Sequence, residues 1–230
     1  MRSPRTLVES VEHHPALPSG PDERFAGYGV MGVPFSSGYI LALRRFPASS
    51  VGPGYTSVWI RDPAGVWTMH STAEPGSSCP RYFGSALGAA STGGISLRWR
   101  DDRSFRVEVA DGLDLSWDMT LAATPITRLL SAVAGAVPDR LWRNRTFLRA
   151  MGAAAGPVLG AGHLGLTGTV PNGQRFGARP RQLWFVREST ARLRGHSLGK
   201  ASAQPVQDRL GDFWIPQRGL FMIGSAVFEP

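Results

Sequence analysis

The chain has a single cysteine, Cys79, and a single lysine, Lys200, among its 230 residues. A lone cysteine excludes an intramolecular disulfide and suits a reducing compartment, so we expect a cytoplasmic protein. A thiolate metal site would need histidine ligands as well, and the five histidines show no paired spacing within an ordered element. The sequence therefore predicts no metal site.

Long apolar runs are also missing. The first twenty residues have no apolar core of signal-peptide length, and the most apolar long window, 150–168, contains Pro157, His163 and six glycines. These features predict neither an export signal nor a transmembrane helix. Peripheral contact with a membrane surface stays open, and the oligomeric state is not determined by the sequence.

Two motifs of common enzyme classes are absent. No Gly-x-Ser-x-Gly nucleophile elbow occurs, which disfavours a serine hydrolase. The stretch 195–200, Gly-His-Ser-Leu-Gly-Lys, lacks the spacing and the following hydroxyl of a phosphate-binding loop. The sequence predicts no nucleotide and no other cofactor.

The positive charge has a simple origin. The net charge is +8, and all but one of the 25 basic residues are arginine, in a chain that is also rich in Ala, Gly and Pro. A basic field attracts polyanions, but a coding bias towards these residues explains the pattern without a ligand. Nucleic-acid binding is therefore disfavoured, and the Arg140–Arg149 stretch is interpreted first as a solvated helix face.

The composition favours a turn-rich β protein. The chain contains 28 Gly and 18 Pro, with 42% hydrophobic residues, which is too much turn chemistry for a helical bundle and too apolar for disorder. Residues 1–22 are polar and proline-rich and predict a flexible N-terminal arm. Residues 23–230 are expected to form a single β-rich domain.

Local patterns place the strands. Tyr55–Ile60 and Val66–His70 flank Asp-Pro-Ala-Gly, which predicts a hairpin. Apolar residues alternate with polar ones from Ile95 to Leu121, interrupted by two polar turns, which predicts a three-strand antiparallel meander with one buried face. The apolar segment Leu220–Phe228 is expected to close the sheet.

A helical segment interrupts the strands at about 125–155. Thr124 can cap a helix whose first residue is Pro125, and the following residues lack the alternation of a strand. The fold class predicted is mainly β: an antiparallel lipocalin-like barrel or paired sheets, with a short two-helix insertion.

Two segments have the composition of a small-molecule pocket, in which aromatic walls provide affinity and a few polar groups fix orientation. The candidate ligand-binding residues are Tyr55, Trp59, Arg81, Tyr82, Trp117, Trp214 and Arg218. The alternative is that the tryptophans are core residues and that the arginines only hold loops. Cys79 is a buried small residue on one interpretation and an activated nucleophile on another.

The strand order, the Tyr55-x-x-x-Trp59 hairpin, the Trp117 strand, the helical interruption and the closing strand resemble lipocalin-like (calycin) domains of the hydroxyneurosporene synthase type. The resemblance is architectural. It implies an apolar barrel cavity for an isoprenoid, polyketide or fatty-acid-like ligand, and binding of such a molecule is the leading functional hypothesis.

Two alternatives remain. One is an enzyme acting on such a ligand, a hydratase, cyclase or isomerase, with Asp118, Asp212, Arg81 and Tyr82 as candidate catalytic residues. The other is a basic-surface interaction protein that uses Arg140–Arg149. Which face of the meander is buried decides whether Asp118 or Trp117 could reach a cavity, and the sequence leaves that open.

Overall fold

The computed structural model describes residues 2–110, 112–204 and 206–229, and its main feature is one strongly curled β-sheet. The strands are β1 Glu23–Pro34, β2 Ile40–Ser49, β3 Tyr55–Arg61, β4 Trp67–Ser71, β5 Ala89–Thr92, β6 Ile95–Trp99, β7 Ser104–Val109, β8 Leu115–Ala122, β9 Thr167–Thr169, β10 Arg175–Leu193, β11 His196–Ser197, β12 Arg209–Leu210, β13 Phe213–Trp214 and β14 Leu220–Glu229. The helices are α1 Pro4–His13, α2 Pro80–Phe83, α3 Pro125–Ala136 and α4 Arg145–Leu159, with single 3-10 turns at Pro75–Ser77, Gly84–Ala86 and Leu141–Arg143.

The sheet path runs β5-β4-β3-β2-β1-β14-β10-β8-β7-β6. Neighbours along it are antiparallel except β4 and β5, which are parallel. Strands β9 and β11 pair with β10, and β12 and β13 form a separate small hairpin. The predicted class, mainly β with a two-helix insertion, is confirmed, and the sheet has the form of a curled half-barrel.

Local chemistry explains the elements that the sequence predicts best. In the β3–β4 hairpin, the Gly65 amide donates to the Asp62 carbonyl oxygen at 3.0 Å, and Gly65 has the positive φ of +90° that glycine tolerates. In α3, the Thr124 hydroxyl accepts a hydrogen bond from the Thr127 amide, and Pro125 is the first helical residue. The hairpin turn and the helix cap therefore lie where the sequence predicts them.

The N-terminal segment, for which the sequence predicts a flexible arm, contains helix α1. Ser3 caps the helix, and Val8 is buried against the sheet. The Glu12 carboxylate accepts hydrogen bonds from the Arg45 guanidinium at 2.8 and 2.9 Å and from the Tyr28 hydroxyl at 2.7 Å. These contacts join residues far apart in the sequence and hold the helix on the sheet. The sequence of the N-terminal segment alone does not predict them.

The sheet curls around a filled core, and we call this side the inner face. Trp99 and Phe105 from one end of the sheet reach Phe221 in β14, with ring centroids 6.4 and 5.8 Å apart. Trp117 is fully buried in the same cluster, and its indole N–H donates to the Ser189 hydroxyl at 2.8 Å. The predicted cavity inside the barrel is therefore occupied by side chains.

The opposite side, the outer face, is covered by α2, α3, α4 and the β12–β13 hairpin. Separate apolar clusters lie beneath these covers, one around Trp59 and Phe83 and another around Phe185 and Leu220. Two adjoining cavities lie here, between the sheet and its covers. Among the described residues, no helix is both long and apolar enough to cross a membrane.

Candidate functional site

A cavity of about 100 Å³ lies on the outer face, and we call it the aromatic cavity. Strand residues reach it at alternate positions, because every second side chain of a strand points to the same face. Its walls are mainly aromatic rings, contributed by Phe46, Tyr55, Trp59, Tyr82, Phe83 and Phe213. The floor has almost no side chain where Gly27 and Gly224 face each other on β1 and β14.

These two glycines are required by close backbone approach. A Cβ at Gly27 would lie 1.9 Å from the Arg45 carbonyl oxygen, and one at Gly224 would lie 2.3 Å from the Arg179 carbonyl oxygen. Any larger residue would force neighbouring strands apart. The shallow floor is therefore a consequence of how β1, β14 and their neighbours approach one another.

Arg44 on β2 brings a positive charge into this apolar space. It is 5% exposed, and its Nη1 donates to the carbonyl oxygens of Val30 at 2.6 Å and Leu43 at 2.8 Å, while Nη2 lies 3.4 Å from that of Met31. The register between β1 and β2 shifts between Val30 and Val33, and such an irregularity leaves carbonyl groups available for side chains. Three of the five guanidinium donors are used in this way.

The remaining surroundings of Arg44 are aromatic. Its guanidinium carbon lies 4.6 Å from the centre of the Trp59 ring and 5.5 Å from that of Phe213. Within the described part of the chain, no carboxylate forms an ion pair with it. Burial lowers the pKa of Arg44 to about 10, so the guanidinium stays charged at neutral pH although its environment disfavours the charge.

Tyr55 and Cys79 lie beside Arg44. The Tyr55 hydroxyl and the Cys79 sulfur are 3.4 Å apart, and both side chains are buried. Burial raises the pKa of the Cys79 thiol and also that of the Tyr55 hydroxyl. The structure therefore gives Cys79 the properties of a buried neutral thiol, the opposite of an activated nucleophile.

A second cavity of about 100 Å³ continues from the first beneath the helical insertion, and we call it the aliphatic cavity. The two share the wall formed by Met31, Ala178, Pro180, Phe213 and Met222. Leu130, Met151, Leu159 and Leu164, from the insertion and the loop after it, contribute much of the remaining wall. The two cavities therefore adjoin across this shared wall, with aromatic rings on one side and aliphatic side chains on the other.

The structure brings part of the predicted site together. Tyr55, Trp59 and Tyr82 line the aromatic cavity, and Trp214 lines the aliphatic cavity. The Tyr82 ring stacks on Phe228 with centroids 3.9 Å apart, and its hydroxyl donates to the Glu23 carboxylate at 2.6 Å.

The other predicted residues lie elsewhere. Arg81 is exposed and pairs with Glu23 at 2.5 Å. Arg218 is exposed, with its guanidinium carbon 3.8 Å from the centre of the Phe185 ring. Trp117 lies in the core of the inner face.

Neither candidate aspartate lies on the wall of either cavity. Asp118 is on the solvent side of the meander, where it pairs with Arg106 and Arg100, each at 2.7 Å. Asp212 is exposed and accepts a hydrogen bond from the Thr169 amide at 2.9 Å. Both carboxylates thus have structural partners at the surface.

Sequence reasoning missed Arg44. The sequence signal is a charged residue at an apolar position: Arg44 shares one face of β2 with Ile40 and Ala42, and residues 40–44 are all buried. A charge at an apolar position is unusual in such a strand. The contacts that enclose Arg44 come from α2 and β13, which are distant from it in the sequence.

No protein-family model matches the chain, and no curated protein sequence matches it either. Among solved structures, an acetoacetate decarboxylase from Legionella pneumophila has a TM-score of 0.42 and 12% identity, covering 94% of this chain and 90% of that one. Another acetoacetate decarboxylase structure has a TM-score of 0.43 and 13% identity, covering 95% and 90%. Neither is of the hydroxyneurosporene synthase type. At these scores no residue or activity is transferred.

Proposed function

We propose that the protein binds a small hydrophobic carboxylic acid in the aromatic and aliphatic cavities, with the carboxylate against Arg44. The observation that carries the proposal is a buried guanidinium without an acidic partner in an aromatic cavity. Two of its five N–H donors have no protein acceptor in the described part of the chain. A carboxylate is the ligand group that a guanidinium fork matches best in charge and shape.

Cavity size limits the apolar part of the ligand. An engineered protein cavity of about 150 Å³ accommodates benzene. Each cavity here is about 100 Å³, so the two together suit a single ring or a short branched chain. A compact acid therefore fits the present walls better than a long polyisoprenoid or a fatty acid of full length.

The walls favour binding over acid–base catalysis. No carboxylate belongs to the described lining of either cavity. Tyr55 and Cys79 are held in their protonated forms by burial, so neither supplies a base at neutral pH. Of the four candidate catalytic residues, only Tyr82 reaches the wall, and its hydroxyl is already bonded to Glu23.

A cavity-filling variant tests the proposal. Ala178 lies on the wall shared by both cavities, so Ala178→Leu places three extra carbons in the ligand space. The matched control is Ala153→Leu on the exposed side of α4. We expect calorimetric binding of cyclohexanecarboxylate to be retained in Ala153→Leu and reduced at least tenfold in Ala178→Leu. Equal affinity in the two variants, or no binding of any compact acid to the wild type, contradicts the proposed function.

A further inference from the structure

A cleft of about 460 Å³ lies at the rim of the inner face, beside the aromatic cavity, with which it shares Gly27, Arg179, Gly224 and Ser225. It is formed where the segment after α1 meets β1, β10, β14 and the connection between α3 and α4. Its lining includes three arginines, Arg143, Arg179 and Arg181, together with apolar residues such as Leu17 and Ile223.

Arg179 is the unusual member of this group. It is 7% exposed, and its Nε is buried with no hydrogen-bond partner. Within the described residues, its side chain makes no hydrogen bond or ion pair. An uncompensated buried guanidinium destabilises a fold unless a ligand supplies the missing partner.

The other two arginines are held in place by the protein. Arg143 donates from Nη2 to the carbonyl and hydroxyl oxygens of Ser19 at 3.2 and 3.0 Å. Arg181 donates to the Asp139 carboxylate at 2.7 Å. Arg179 lies just before an irregularity in the pairing of β10 with β14, and Arg181 lies within it, between Pro180 and Gln182. Both arginines line the cleft.

The electrostatics of the cleft are those of an anion site. Burial lowers the pKa of Arg179, and the neighbouring charge of Arg143 and that of Arg181 lower it further, while Asp139 and Asp22 oppose the effect. The Asp139 side chain is 80% exposed and already paired with Arg181, so it compensates the buried charge poorly. Positive charge therefore exceeds negative charge around the cleft.

We propose that Arg179, together with Arg143 and Arg181, binds the phosphate group of a small phosphorylated molecule. A phosphate offers several acceptor oxygens and up to two charges, which suits three guanidinium groups better than a single carboxylate does. The cleft is larger than a bare phosphate, and Leu17 and Ile223 provide an apolar wall for the organic part. Arg44 does not line this cleft, although Arg179 also reaches the aromatic cavity. The test uses phosphate anions and variants that keep Arg44, so its outcome is distinguishable from that of the carboxylic acid proposal.

The test uses the full chain at constant ionic strength, with chloride replaced by inorganic phosphate or by phenyl phosphate. We expect both anions to bind and to raise the melting temperature of the wild type, with phenyl phosphate binding more tightly. Arg179→Met should lose at least tenfold in affinity for both anions, and without them it should melt at the same temperature as the wild type or higher. Arg98→Met, which removes one exposed arginine on the meander, is the charge-matched control and should bind like the wild type.

Several results overturn the inference. Equal loss of affinity in Arg98→Met and Arg179→Met would show that anion affinity depends only on the net charge of the protein. Unfolding of Arg179→Met would show that Arg179 has a structural role. Retention of phosphate affinity in Arg143→Gln and Arg181→Gln would show that these two arginines do not bind the anion. Binding to vesicles of anionic lipid without binding of phenyl phosphate contradicts a small-molecule site, and tighter binding of inorganic phosphate than of the ester contradicts an organic ligand.

Discussion

Arg44→Met should remove the preference for acids over their neutral analogues without emptying the cavity of hydrophobic ligands. Methionine has a length similar to that of the arginine stem and is apolar, so the aromatic walls are kept while the charge is lost. The relevant comparison is between cyclohexanecarboxylate and cyclohexanecarboxamide, which have nearly the same shape. Wild-type protein should prefer the acid, and Arg44→Met should bind the two with similar affinities.

The size of the effect follows from the environment of Arg44. Burial lowers its pKa to about 10, well below the ordinary value of an arginine, which corresponds to about 3 kcal/mol against the charged form. For a base with a lowered pKa, this penalty is present at every pH below about 10 and disappears only as the pH rises from there towards the ordinary pKa of an arginine. A bound carboxylate can relieve up to the whole of this penalty, which corresponds to roughly 100-fold in affinity. The free energy needed to desolvate the acid reduces this gain.

Isothermal titration calorimetry at pH 7 measures both affinities, and urea unfolding establishes that the variant is folded. A ratio of amide to acid dissociation constants between about 10 and 100 in the wild type agrees with this reasoning. Equal dissociation constants in the wild type refute it, whether or not Arg44→Met folds. A ratio that is unchanged in a folded Arg44→Met variant shows that another group recognises the acid.

Three further predictions concern stability and reactivity. Burial raises the pKa of the Cys79 thiol, so iodoacetamide should modify native protein at least about tenfold more slowly than free cysteine at pH 7.5, and bound ligand should slow it further. Burial opposes ionisation of Glu12, but hydrogen bonds from Arg45 and Tyr28 outweigh this effect and lower the pKa of Glu12. Glu12→Gln should therefore reduce the free energy of unfolding by about 1–2 kcal/mol above pH 4.5. This difference should vanish as the pH falls through the lowered pKa. Asp118→Asn should reduce the free energy of unfolding by less than about 1 kcal/mol and leave ligand affinity unchanged, because the ion pairs of Asp118 lie at the surface.

Each of these predictions has a clear contrary outcome. Rapid labelling of Cys79 in the native state would mean that its cavity is open or its thiol activated. A Glu12→Gln variant as stable as the wild type at pH 7 would show that α1 is not held by this contact. Loss of binding in a folded Asp118→Asn variant would place that carboxylate in the site after all.

The strands and turns were predictable where their signals are local. The β3–β4 hairpin is specified by Asp62 and Gly65 at its turn, and the β6–β8 meander by strict alternation with one solvated face. The helix at Pro125 has its capping residue directly before it. Each of these features depends on residues a few positions apart, so a single sequence contains the necessary information.

The site was less predictable because it depends on distant covers. Strand β2 has buried residues on both faces, so periodicity cannot assign Arg44 to the outer side. The aromatic cavity exists because Phe83 and Phe213, from segments far apart in the chain, close over Trp59. Helix α1 presents the same difficulty, since its position depends on Arg45 and Tyr28 rather than on its own sequence.

The most direct test of the account is to identify what the protein carries. Freshly purified wild type and Arg44→Met are examined by native mass spectrometry, then denatured and extracted with organic solvent. We predict one compact hydrophobic acid per wild-type chain and none, or a neutral molecule, in the variant. A neutral molecule retained equally by both proteins contradicts the account, as does a wild-type chain that is empty and also fails to bind compact acids added in excess.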